Sequence, residues 1–169
     1  MRSYMIEPHL DGTRIEAPVQ KEQPMYSTIV VGTDGSDTAN SAVSTAADLA
    51  RLCNAELHVV TAYRAASGSV AVPLTGAHAG DSGLGTALSK LAGDEMLADT
   101  AASIKGVTVK THASSGGAAD VLVKEAASVG ADLIVVGSKG MQGTRRLLGS
   151  VPNTVAHNAP CAVLIVKTT

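Results

Sequence analysis

The residues best suited to holding a ligand lie in one stretch, Leu133 to Val151, with the sequence LIVVGSKGMQGTRRLLGSV. It contains Gly137-Ser-Lys-Gly140, two arginines, and then Gly149-Ser150 directly ahead of Val151 and Pro152. Glycine lets backbone N–H groups approach a ligand closely, serine is a good helix N-cap, and proline is favoured in a first helical turn. A helix start of this kind offers unpaired N–H groups and the positive end of a dipole, so its natural guest is an anion. Gly137, Gly140, Gly149, Ser150 and Val151 are therefore assigned to the phosphates of a nucleotide, with Arg145 as the cation beside them. A second glycine turn, Gly32-Thr-Asp-Gly-Ser36, carries Asp34. A carboxylate repels phosphate, so Asp34 is assigned to the adenine or ribose edge, or to a Mg²⁺ bridging from the phosphates.

These turns need elements to position them. Ser27–Gly32 (STIVVG), Glu56–Ala62 (ELHVVTA), Val107–Ala113 (VTVKTHA), the ADLIVV run ending at Val136, and Cys161–Val166 (CAVLIV) read as strands. Helical periodicity fills the intervals from Ser36 or Asp37 to Cys53, from Thr86 to Ile104, from Ala118 to Val129, and after Ser150. Five strands alternating with about four helices imply an α/β fold: a three-layer open sandwich with a parallel sheet, helices on both faces and right-handed crossovers. Ligands of such sheets lie beyond the strands' carboxyl ends, where strand order reverses. From Tyr63 to Gly85 the chain is rich in Gly, Ser, Ala and Thr, and partial disorder near the site is expected there. Residues 1–24 mix charge, proline and isolated apolar positions without a period, and read as a flexible N-terminal arm ahead of a single domain over 25–169.

At these motifs the chain resembles the universal stress protein family, which carries G-x-x-G, a spacer of nine, then G-S or G-T. Gly137-Ser-Lys-Gly140 and Gly149-Ser150 are similar to that motif, and Val151 to Val166 is similar to the family's closing helix and strand. One departure stands out: Met141 to Leu148 is a spacer of eight residues. The resemblance implies strand order 3-2-1-4-5, which brings both glycine turns to one crevice. It implies that Thr33 and Asp34 contact the nucleoside, that Ala62 accompanies the adenine, and that Val136 lies against it. It also implies that ATP is bound with little or no hydrolysis, with AMP or cyclic AMP as alternatives favoured by the shorter spacer, and Mg²⁺ as a companion of the nucleotide. Family members dimerise through the last strand, and the apolar edge CAVLIV is an aggregation hazard that such pairing removes.

Composition narrows the alternatives. The chain has 169 residues, a net charge of −2 and only 2% aromatic content, so one core of Val, Leu, Ile and Ala is expected. That charge argues against non-specific nucleic-acid or anionic-membrane partners. No apolar run approaches the ~18–20 residues of a membrane span, and no signal-peptide core opens the chain. Cys53 and Cys161 lack a CxxC spacing and read as reduced core thiols of a cytoplasmic protein. The histidines, His9, His58, His78, His112 and His157, show no metal-ligand spacing, so no metal centre is assigned. No G-x-S-x-G elbow or nucleophile–base–acid set is present, so a regulatory binding protein is expected rather than an enzyme. An ATP-hydrolysing enzyme of this layout needs S-G-G-x-D-S after the first strand, where GTDGSD stands instead, and no G-x-G-x-x-G supports a dinucleotide oxidoreductase. The remaining alternative is a nucleotide-free interaction dimer.

Overall fold

The computed structural model describes residues 24–64, 82–138 and 151–167. The N-terminal arm up to residue 23, most of the expected irregular loop and the arc over 139–150 lie outside the described residues. The elements run β1 (Thr28–Gly32), α1 (Asp37–Cys53), β2 (Glu56–Tyr63), α2 (Ser82–Ser103), β3 (Val109–Ser115), α3 (Ala118–Val129), β4 (Leu133–Gly137), α4 (Val151–Asn158) and β5 (Ala162–Val166). The five strands form one sheet in the order β3-β2-β1-β4-β5, every pairing parallel.

Several boundaries differ from the sequence expectation, those of β3 and α2 among them. Strand β3 begins two residues later than Val107, because Gly106 turns the chain at φ +70° and the ladder then pairs Leu57 with Val109 through to Tyr63 with Ser115. Helix α2 begins at Ser82 rather than Thr86. Glycine costs about 1 kcal/mol in a helix interior, so Gly83 and Gly85 disguised this first turn.

Side-chain alternation divides the sheet between two cores. On one face Ile29, Val31, Leu57, Val59, Leu133 and Val135 pack beneath the alanine stripe Ala42, Ala46, Ala47 and Ala50 of α1, with Leu97 of α2. On the other, Val30, Val60, Ile134 and Val136 pack against Val121, Leu122 and Ala126 of α3 and Val155 of α4. With so few aromatics the helices sit close on small side chains.

The entry to the two central strands is tied by one carboxylate. Asp132 Oδ2 accepts from the Ser27 and Thr28 N–H groups at 2.7 and 2.9 Å, while the Asp132 N–H donates to the Thr28 carbonyl at 2.9 Å. Charge-assisted bonds are stronger than neutral ones, although these are exposed to solvent. Asp132→Ala is expected to cost about 1–2 kcal/mol and to lower the melting temperature by about 4 °C. A melt that coincides with that of the parent would show the tie to be dispensable.

Candidate functional site

Strand order reverses between β1 and β4, and beyond the carboxyl ends of β1, β2 and β4 lies a cleft of about 200 Å³. Its floor and walls are apolar: Val60 and Ala62 from β2, Val136 from β4, and Leu122 from α3. Gly32 closes β1 at this wall. A Cβ on it would lie 2.9 Å from Leu122 Cδ1, so glycine allows α3 to close against the strand end.

The turn after β1 is held by its own side chains. The Thr33 N–H donates to the Val60 carbonyl at 2.9 Å, carrying the ladder one residue past the strand, and Thr33 itself is buried. Thr33 Oγ1 accepts from the Gly35 N–H at 3.1 Å. Asp34 Oδ1 accepts from the Ser36 N–H at 3.0 Å and from Ser36 Oγ at 2.5 Å. Ser36 is the N-cap of α1, its Oγ accepting from the Ala39 N–H at 3.3 Å. Gly35 sits at φ +75°, a conformation that favours glycine, and the Met96 side chain packs over it where a Cβ would stand.

Three helices open onto the same cleft. Thr38 and Ala39 lie in the first turn of α1, Ala118 begins α3, and Val151 and Pro152 begin α4. The N-cap of α3 is Gly117, which supplies no side-chain hydrogen bond to that helix's first turn. Each helix start contributes partial positive charge, worth about 0.3–1 kcal/mol toward a nearby anion. Among the described residues lining the cleft, Asp34 is the only ionisable side chain. An apolar slot edged by three helix N-termini suits a flat, largely apolar group that carries an anionic tail.

Of the residues assigned from sequence, Thr33, Asp34, Ala62, Val136, Gly137 and Val151 line this one cleft. Gly140, Arg145, Gly149 and Ser150 lie outside the described residues. Sequence reasoning gave no ligand role to Thr38, Ala39, Ala118, Leu122 and Pro152; all but Leu122 lie in the first turns of helices that follow strands, which was their only signal. It also gave no role to His58 and His112, which are 54 positions apart in the chain yet meet across β2 and β3 at 2.9 Å.

Comparison with known proteins accords with this fold. The family model described as the universal stress protein family matches residues 25–167. A universal stress protein of Mycobacterium tuberculosis is 38% identical over 152 residues, covering 85% of this chain and 98% of the relative. Among solved structures, a universal stress protein in complex with cyclic AMP is 36% identical with a TM-score of 0.65, covering 85% of this chain and 98% of that one. The Archaeoglobus fulgidus universal stress protein in complex with dAMP is 26% identical with a TM-score of 0.59, covering 85% of this chain and 99% of that one.

Proposed function

The chain belongs to the universal stress protein family, and from that premise we propose that it is a cytoplasmic regulatory protein that binds an adenine nucleotide in the cleft and does not turn it over. The observation that carries this reading is the convergence of an apolar slot and three helix N-termini at the reversal between β1 and β4. The base lies between Val60, Ala62 and Val136, with Thr33 and Asp34 at the nucleoside. The phosphates run out toward Gly137 and Val151 and are held by Gly140, Gly149 and Ser150, with Arg145 beside them. A cleft of about 200 Å³ is smaller than the ~300–1,000 Å³ of pockets that enclose a whole ligand, which fits a base held inside and phosphates held at its rim. Relatives crystallised with cyclic AMP and dAMP support the choice of adenine.

ATP is the first candidate, and cyclic AMP is the second. The spacer between Gly140 and Gly149 is one residue shorter than the family pattern, which shortens the arc available to a triphosphate. Mg²⁺ fits only as a companion of the phosphates, since Mg²⁺ sites of this kind use one or two carboxylates and Asp34 Oδ1 is already engaged by Ser36. Two chains pair along β5, which ends the sheet among the described residues and whose Val163, Leu164, Ile165 and Val166 are only partly covered. The domain spans 25–169, with residues 1–24 as an arm.

Titration calorimetry with ATP, AMP and cyclic AMP tests the reading. At least one adenine nucleotide is expected to bind, and cyclic AMP or AMP is expected to exceed ATP if the short spacer limits the phosphate end. Absence of heat with all three removes the nucleotide reading and leaves the interaction dimer.

A further inference from the structure

On the sheet face that carries α3, but toward the β3 edge, four side chains form a continuous chain. Glu56 Oε1 lies 2.7 Å from His58 Nε2, His58 Nδ1 lies 2.9 Å from His112 Nε2, and His112 Nδ1 lies 2.9 Å from Glu125 Oε1. Lys110 Nζ closes the outer end at 2.9 Å from Glu56. His58 is 3% exposed, while His112 and Glu125 are partly open to solvent at the edge strand.

Proton counting isolates the middle contact. An ionised carboxylate only accepts, so Glu56 and Glu125 each require an N–H from the ring nitrogen that faces them. Glu56 Oε1 faces the Lys110 ammonium at 2.9 Å as well as the His58 ring, so it stands as an acceptor to both. A neutral imidazole carries one N–H, and both are then used on the outer contacts. The inner nitrogens are left as two lone pairs 2.9 Å apart, a repulsive contact unless a cation lies between or beside them.

We infer that His58 and His112 form a binding site for a divalent transition-metal ion of the imidazole-preferring class, with Glu56 and Glu125 fixing the two rings. Carboxylates that take the outer N–H are the usual partners of metal-bound histidines, since they set the tautomer and aim the free nitrogen. Two nitrogens each about 2.0–2.1 Å from one ion stand about 2.9 Å apart at a right angle and about 3.3 Å apart at the tetrahedral angle, so the two rings, 12° from parallel with centroids 5.0 Å apart, must turn to bring both lone pairs onto one ion. One ligand atom from each of His58, His112 and Glu125 falls within 4.8 Å of the others; with Glu125 engaged on the outer nitrogen of His112, water completes the shell from the solvent side. Two carboxylates against one ammonium give the surroundings a net negative charge that favours a cation. Imidazole ligands select zinc, nickel, copper or iron over magnesium and calcium.

The test uses the full chain freed of metal with a chelator, with Zn²⁺ and then Ni²⁺ as probes. One equivalent per chain is expected by calorimetry, with the side-chain NMR signals of His58 and His112 moving together. His112→Ala, on the edge strand and partly exposed, is expected to fold and to lose affinity by roughly 10–100-fold or more. His157→Ala on α4 is expected to bind as the parent does. Glu125→Gln, which cannot fix the His112 tautomer as a carboxylate does, is expected to weaken binding by roughly 10-fold. Retained affinity in His112→Ala, or no uptake at millimolar metal with the two rings sharing only a proton, overturns the proposal.

Discussion

Ala39→Trp is expected to weaken adenine-nucleotide binding by at least about 100-fold, equivalent to about 2.7 kcal/mol, while leaving the fold in place. Ala39 lies in the first turn of α1, half-buried, with its side chain on the cleft. An indole attached there can enter a volume of about 200 Å³ bounded by Val60, Val136 and Leu122. It takes the place proposed for the base without removing any phosphate donor. The backbone N–H of Ala39 still reaches Ser36 Oγ, so the N-cap survives the substitution. Tryptophan costs up to ~0.7 kcal/mol in helix propensity, to which crowding against the cleft walls adds. Calorimetry paired with a thermal melt reads both quantities. Unchanged affinity would move the nucleotide out of this cleft altogether.

Much of this arrangement is legible in the sequence because it is local. Apolar β-branched runs ending in glycine announce β1 and β4, and alternation with alanine-rich helices implies the parallel sheet. The order β3-β2-β1-β4-β5 came through family resemblance, since periodicity alone does not choose among permutations. The cleft was legible only in half. Residues at strand ends, such as Thr33, Ala62 and Val136, lie beside glycine turns and attract notice, whereas Ala39 and Leu122 look like any other positions on a buried helical face. The histidine pair was illegible for a different reason. His58 and His112 sit on strands joined by a long crossover, and only the register that sets His58 opposite Lys110 and Val60 opposite His112 makes them diagonal neighbours. Spacing along the chain holds no trace of that register. Glu125 adds a third element, α3, whose position depends on how Val121 and Leu122 pack beneath it.

Leu57→Ala is expected to destabilise the chain by about 3 kcal/mol and to lower its melting temperature by about 10 °C. Leu57 is fully buried near the start of β2, paired with Ile29 on one side and Val109 on the other. It points into the core beneath α1 and α2, a layer of small, interlocked side chains with few large residues able to move into the space. Truncation therefore loses both the transfer free energy of the removed carbons and the contacts around the cavity left behind. Leu52→Ala is the matched control: the same chemical change on α1, at a side chain 83% exposed, is expected to stay within about 0.5 kcal/mol. Leu57 and the cleft occupy opposite faces of one strand, since Val60 and Ala62 line the cleft while Leu57 and Val59 face away. A saturating nucleotide at 100 times its dissociation constant should then add about 2.7 kcal/mol to the parent and to Leu57→Ala alike. If the ligand stabilises the variant markedly less than the parent, the two cores are mechanically coupled through the sheet, and the cleft depends on packing it does not touch.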